Sequence, residues 1–147
     1  MSWKLQFTTE SDGYSLRYLL AKMKQKCPND VVLLVVKDIE DHSFGAVVMP
    51  RRPRSPTNRA SGNTAPSLLW TFYPEFKTFS WSGRNDEFLK YPSNSGVFVG
   101  CQSGKAGLWL DEELYGGSSQ RCSTSKNAPL TESQDFLIKG VEMWSLC

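Results

Sequence analysis

The stretch Val31–Val36 is an unbroken run of valine and leucine, and it constrains the fold more than any other part of this 147-residue chain. A continuous apolar run rich in β-branched residues is typical of a strand that is covered on both faces. Residues 38–43 follow as a polar turn, and Phe44–Met49 predicts a partner strand. The run therefore predicts a β-hairpin whose first strand is buried on both sides.

Alternating apolar residues and turn signals predict further short strands along the chain. Leucines at helical spacing over Ser15–Lys26 predict one sizeable helix, with Ser15 as its N-cap and lysines toward its end. We therefore predict an α+β, mostly β fold, a β-sandwich with helical decoration, in a single domain over residues 1–147. The other predicted strands are Trp3–Phe7, Ser67–Tyr73, Phe76–Trp81, Val97–Val99, Leu108–Leu110 and Phe136–Trp144. The five tryptophans are predicted to be core rings: Trp3, Trp70, Trp81, Trp109 and Trp144.

The last predicted strand carries one carboxylate among side chains that should face a core. Because alternate residues share a face, Glu142 is predicted on the same side as Phe136 and Ile138. Trp144 is predicted on the same face as these three residues. A carboxylate in an apolar layer costs several kcal/mol unless it is paired. Glu142 is therefore either a functional carboxylate or a buried structural acid, bonded to a backbone amide or to a cation such as Arg84.

Short motifs follow one another in a fixed order through the sequence. They are Trp3-x-Leu5-x-Phe7, Asp12-Gly13-x-Ser15-Leu16, Leu33–Asp38, Phe44-Gly45-Ala46, Ser67–Phe72, Phe79-x-Trp81-x-Gly83-x-Asn85-Asp86, Gly107–Asp111, Gly117-x-Ser119, Cys122-x-Thr124-x-x-Asn127 and Phe136-x-Ile138-x-x-Val141-Glu142-x-Trp144. In this order, across nearly the whole chain, they resemble the TLDc domain family, which is named from its association with TBC and LysM domains. The chain departs from the family at Gly100–Gly104, where a run of glycines is usual, and before Ser67, where an arginine/proline segment replaces a glycine-rich one.

The resemblance implies a compact sandwich of two antiparallel sheets flanked by helices. It also implies protection from oxidative damage and binding to the vacuolar-type proton-pumping ATPase (V-ATPase). No agreed enzymatic reaction comes with the family, so we predict a protein-interaction module rather than an enzyme, with no cofactor. The sequence starts at the first strand without the helical segment of many members. That start fits a domain cut from a longer protein, such as one with a Rab-GAP-type TBC domain.

Three surfaces are candidate interaction sites for such a module. The first is the helix over Ser15–Lys26, with cations at Arg17 and Lys22. The second is the glycine-bearing turn Gly100–Gly107, whose backbone N–H groups could bind an anion, although glycines also permit a tight turn between strands. The third is the neighbourhood of Glu142. The turn residues in question are Gly100, Gly104, Lys105 and Gly107.

The four cysteines are widely spaced, form no CxxC pair and could make two disulfides. A chain of this size with no leader is more typical of a cytosolic protein, so we predict reduced thiols. Cys101 and Cys122 are the candidates for a reactive thiol, and they support the alternative of a redox-active antioxidant enzyme or module. His42, the only histidine, lies in a polar turn and is predicted to be solvated. A zinc site would need this histidine and three scattered cysteines, so we predict no metal site.

Residues 50–66 are rich in arginine, proline and serine, and they cannot bury enough apolar surface to order themselves. We predict a mobile insertion here. Its arginines could contact an anionic membrane surface, and phosphorylation of Ser55 would cut the local charge. The formal net charge of +2 is too small to mark a nucleic-acid binder. The arginines of the insertion are Arg51, Arg52, Arg54 and Arg59.

The sequence has no stretch near the roughly 18 consecutive apolar residues of a membrane-spanning helix. We expect a cytoplasmic domain that is peripheral on vesicle or organelle membranes, with V-ATPase subunits as partners. Small GTPases or anionic membranes are further expected partners, reached through flanking domains of a longer Rab-GAP-type protein in vesicle trafficking.

Overall fold

A computed structural model describes residues 2–26, 30–49, 67–72, 75–81, 88–92, 95–102, 105–119 and 135–146, with the backbone alone at 101, 102, 105 and 106. Within these ranges the chain is mostly β, with two helices. The elements are β1 (Trp3–Thr8), α1 (Thr9–Asp12), α2 (Leu16–Lys26), β2 (Val31–Asp38), β3 (Ser43–Val48), β4 (Leu68–Phe72), β5 (Phe76–Ser80), β6 (Leu89–Lys90), β7 (Val97–Gln102), β8 (Lys105–Leu110), β9 (Gly116–Ser118) and β10 (Asp135–Leu146).

The long strand β10 belongs to two antiparallel sheets. Its C-terminal part lies between β1 and β2, and this first sheet continues through β3 and β4 to β5. Its N-terminal part pairs with β9, and this second sheet continues through β8 and β7 to β6. The predicted mostly β, two-sheet antiparallel fold is confirmed.

The core lies between the inner faces of the two sheets. Phe44 of β3 meets Phe136 of β10 edge-on, with ring centroids 4.8 Å apart. Leu69 of β4 reaches across to Gly100 of β7, where a Cβ would lie 3.5 Å from Leu69 Cδ1. Side chains from both sheets therefore interdigitate in one apolar layer.

Strand β2 is not covered on both faces, as its apolar run predicts. The even-numbered residues of Val31–Val36 point into the core and are at most 3% exposed. The odd-numbered residues point away from the second sheet and are only half-buried. The prediction of two buried faces is therefore wrong, because the second sheet covers just one of them.

The prediction that all five tryptophans are core rings is also wrong. Trp81 is buried at 4% exposure, but Trp3 is 44% exposed. Trp70, Trp109 and Trp144 are half-buried. A strand position alone does not bury a ring, because alternate side chains point to opposite faces of the sheet.

Helix α2 begins as its sequence predicts. The Ser15 hydroxyl accepts the backbone N–H of Tyr18 at 3.2 Å, which caps the first turn. Leu16 and Leu19 are buried against the strands. No acid lies in the first turn of α2, and its last turn carries Lys24 among its cations, which is the favourable end for positive charge.

We expect Phe136→Ala to lower the free energy of unfolding by about 3–5 kcal/mol, because it leaves a cavity between the sheets. The adjacent Leu137 is 58% exposed and serves as the matched control. Leu137→Ala should change the free energy by about 0.5 kcal/mol or less. Urea denaturation followed by circular dichroism measures both. Equal losses for the two variants would contradict the inward orientation of Phe136.

Candidate functional site

A bulge in β10 reverses which side chains face the core. The register between β10 and β2 shifts directly after Ile138. Before the shift Phe136 and Ile138 are buried, and after it Val141 and Met143 are buried. Glu142 therefore faces outward, and the prediction that it shares a face with Phe136 and Ile138 is wrong. One extra residue in a strand breaks the two-residue period.

Two side chains from the N-terminal segment hold this bulge. Thr9 Oγ1 accepts the Val141 N–H at 3.1 Å, and the Tyr14 hydroxyl donates to the Lys139 carbonyl at 2.7 Å. They occupy the edge of β10 between its pairings with β9 and β1. A Cβ on Gly140 would lie 3.2 Å from Thr9 Oγ1, so glycine suits this close approach. The Lys139 carbonyl and the Val141 N–H at the bulge are thus bonded rather than left bare.

A groove of about 510 Å³ opens beside Glu142. Glu142 is half-buried, and its Oε1 accepts the Trp144 indole N–H at 3.0 Å. Two cations, Lys37 and Lys139, also line the groove. Lys139 Nζ lies 3.3 Å from Asp41 Oδ1 on the surface. The carboxylate is therefore held in place by a neighbouring ring and accessible from the groove.

Glu142 borders a broad apolar surface on the first sheet, which we call the outer face. Its side chains alternate with the core residues of the same strands and are half-buried or exposed. The strand registers align them in rows across six strands. The central row is Leu5, Trp144, Leu33, Val47, Leu68 and Ser80. The next row is Thr8, Glu142, Val35, Gly45, Trp70 and Thr78. The outer face also includes Trp3, Val31, Lys37, Ser43, Phe72, Phe76 and Leu146.

Gly45 lets the Trp70 indole lie against the outer face. A Cβ on Gly45 would lie 3.3 Å from Trp70 Cζ2 and would collide with the Leu34 carbonyl. Trp70 Nε1 is buried without a hydrogen-bond partner in the part of the chain described. An N–H group in that state costs about 1–3 kcal/mol. The outer face thus contains a donor, Trp70 Nε1, for which the described residues supply no acceptor.

The two cations predicted on α2 differ in their environments. Lys22 Nζ lies 3.4 Å from Asp12 Oδ1 and 5.1 Å from the Tyr18 ring centroid. The Thr8 N–H donates to Asp12 at 3.0 Å and, with Lys22, holds the pKa of that carboxyl below its usual range, partly opposed by burial. Arg17 is exposed and lines a separate groove of about 560 Å³ along α2. Lys22 therefore braces the N-terminal segment, whereas Arg17 is open to a partner.

The predicted glycine-bearing turn falls in the β7–β8 hairpin. Gly100 has φ +66° and donates its N–H to a backbone carbonyl at 2.7 Å, so this N–H is not free for an anion. The Gly107 carbonyl accepts the Ser119 hydroxyl at 2.7 Å. Both glycines are buried and serve the hairpin's structure. Gly104 lies outside the described residues, and Lys105 is described in its backbone alone.

One domain family accounts for the chain from end to end: the TLDc domain profile matches residues 1–147. The chain belongs to the TLDc domain family. It is 38% identical over 143 residues to nuclear receptor coactivator 7 of Gallus gallus, a match that covers 97% of this chain and 15% of that protein. Oxidation resistance protein 1 is 36% identical over 143 residues in both Xenopus tropicalis and Homo sapiens, covering 97% of this chain and 16% of each relative. The chain thus spans only a small part of these relatives' length.

This TLDc chain also contains a buried pair that the sequence analysis missed. His42 is 5% exposed, and its Nδ1 lies 2.8 Å from Asp38 Oδ2. Asp38 Oδ1 accepts the backbone N–H groups of His42 at 2.8 Å and Glu40 at 3.0 Å. The prediction of a solvated His42 is wrong, because Asp38 closes the β2–β3 turn and holds the ring against it. The four-residue spacing between Asp38 and His42 was the sequence signal that could have predicted this pair.

Several predicted site residues lie outside the described part of the TLDc chain, and the redox alternative therefore stays a prediction. Cys101 lies in β7 and pairs with Ala106, with its backbone alone described. Within the described ranges, no cluster of three or more His, Cys, Asp or Glu could hold a metal ion. No helix there is long and apolar enough to cross a membrane. The residues outside are Arg51, Arg52, Arg54, Ser55, Arg59, Arg84, Gly104 and Cys122, with the rest of the 50–66 insertion.

We expect Thr9→Val to lower the free energy of unfolding by about 1–3 kcal/mol, because the Val141 N–H loses its acceptor while the side-chain shape is kept. Thr78→Val, at an exposed position of β5, is the matched control and should be close to neutral. Chemical denaturation and hydrogen exchange at the Val141 amide test this. If that amide stays as protected as in the wild type, Thr9 does not hold the bulge.

We expect the stabilising effect of Asp12 to depend on pH. Since its folded-state pKa is lowered, the carboxylate stabilises the fold above its unfolded pKa of about 4 and loses that effect as the pH falls further. The stability difference between wild type and Asp12→Asn should therefore be largest at neutral pH and shrink below about pH 4. Thermal unfolding from pH 3 to 7 measures it, and a constant difference over that range would contradict the assignment.

Proposed function

We propose that this TLDc domain is a protein-interaction module that binds the V-ATPase and thereby contributes to protection from oxidative stress. The observation that carries the proposal is the outer face, which leaves apolar side chains accessible across six strands. Soluble domains rarely expose a contiguous apolar surface of this breadth unless it binds something. Membership of the TLDc family supports the V-ATPase as the partner.

Relatives support the link to oxidative stress. Two of the proteins that align over 97% of this chain bear the name oxidation resistance protein 1. The aligned region is 16% of their length, so the rest of those proteins has no counterpart in this sequence. We propose that the TLDc domain supplies the contact with the proton pump. The protective effect then follows from altered pumping.

Mechanically, a binding module acts by preferring one state of its partner. If the domain binds one assembly state of the pump more tightly than another, it shifts the population toward that state. An affinity ratio of about ten corresponds to about 1.4 kcal/mol. The cytoplasmic side of organelle membranes is where such a contact would form. No described contact favours a thiol reaction or a Rab-GAP accessory role over this proposal.

The experiment is co-sedimentation of the 147-residue chain with purified V-ATPase membranes, with ATP-driven acidification followed in the same samples. We expect saturable binding that changes the acidification rate. Leu5→Asp, on the outer face, should weaken binding at least about tenfold. Leu137→Asp, exposed on the second sheet's strand, should leave it unchanged. Absence of binding by the folded wild type, or equal binding by both variants, would overturn the proposal.

A further inference from the structure

The outer face has the apolar composition of a surface that another segment covers. Five of the six residues in its central row are apolar, and the row crosses six strands. With strands about 4.8 Å apart, the row is about 24 Å long. The sequence of β2 is apolar on both faces, which is typical of strands covered on both. Leu5 in this row is nevertheless 45% exposed, and Trp3 beside it is 44% exposed.

The backbone of the first sheet decides what kind of segment can cover it. In the interior strands, N–H and C=O groups bond to neighbouring strands in the plane of the sheet, so the outer face offers side chains alone. An extended peptide lying on it would bury backbone groups without partners. An α-helix satisfies its own backbone and can present an apolar stripe. About 16 helical residues span the 24 Å row.

Charge at the border of the outer face adds a second requirement. Glu142 lies in the row beside the central one, half-buried, with the Trp144 indole on one oxygen. Lys37 is exposed, two residues beyond the Val35 that pairs with Glu142. Within the described residues neither charge belongs to an ion pair. A cation on a partner would complement this half-buried carboxylate and fix the partner's orientation.

We propose that the outer face binds an amphipathic α-helix of a partner protein, which places an arginine or lysine against Glu142 and an acid near Lys37. Apolar residues of the helix at i, i+3, i+4 and i+7 cover the central row. The base and the acid sit about one turn apart on the helix, because Glu142 and Lys37 lie on neighbouring strands, about 4.8 Å apart along the direction of the row. This inference rests on the proposed function insofar as it uses the same surface.

The test is a selection of displayed 18-residue helical peptides, randomised in apolar, basic and acidic positions, against the immobilised 147-residue chain. We expect enriched peptides with an apolar stripe and one fixed arginine or lysine. Leu5→Asp should reduce their binding at least tenfold, and Leu137→Asp should not. Selection against Glu142→Lys should replace the basic position by an acidic one. A helix enriched on the wild-type chain should bind the Glu142→Gln variant more weakly than it binds the wild-type chain.

Other occupants of the outer face are outcomes that overturn the inference. No enriched helix, or enriched peptides that contain central prolines or bind Leu5→Asp as well as wild type, would exclude a helical partner. Binding to phosphatidylcholine vesicles or self-association that Leu5→Asp abolishes, with no helix enriched, would assign the surface to lipid or to a second copy. The selection uses no pump. Enriched helices with no V-ATPase binding would therefore sink the proposed function and leave this inference standing.

Discussion

The single extra residue in β10 is the constraint on which the rest of this molecule depends. By inserting it after Ile138, the strand keeps Phe136 inward in the second sheet and Val141 inward in the first. The exposed edge at the bulge is closed by Thr9 and Tyr14, which also fixes the N-terminal segment against the sandwich. One strand thus serves two sheets, with the Lys139 carbonyl and the Val141 N–H bonded at the point of change.

The same bulge creates the candidate site. Because the phase of β10 changes, Glu142 and Trp144 leave the core side and join the outer face. Burying the Glu142 carboxylate between the sheets would cost free energy. On the outer face it instead accepts the Trp144 indole N–H at the border of an apolar surface. The position of Glu142 and Trp144 on the outer face is therefore a consequence of this register shift. The outer face and the Glu142 groove form a surface suited to recognition by shape, with two charges, Glu142 and Lys37, to fix orientation.

Hydrogen bonds within the fold stabilise the β2–β3 turn and the β7–β8 hairpin. Asp38 binds two backbone N–H groups and the His42 ring in the β2–β3 turn. Gly100 donates its N–H to a backbone carbonyl. These contacts occupy the Asp38 carboxylate and the Gly100 N–H with partners inside the fold. Among the sequence-predicted surfaces, Arg17 and the Glu142 neighbourhood are those whose described side chains remain open to a partner.

The sequence by itself determined the strands with long apolar runs, the Ser15 cap and the family, because these depend on neighbouring residues and on motif order. It did not predict β9, since Gly116–Ser118 has the composition of a loop and becomes a strand only by pairing with β8 and β10. It also placed Glu142 on the wrong face and left His42 in solvent. The face of Glu142 and the burial of His42 were decided by contacts with residues distant in the chain or across a turn. The alternation of side chains along a strand carries no information about such contacts.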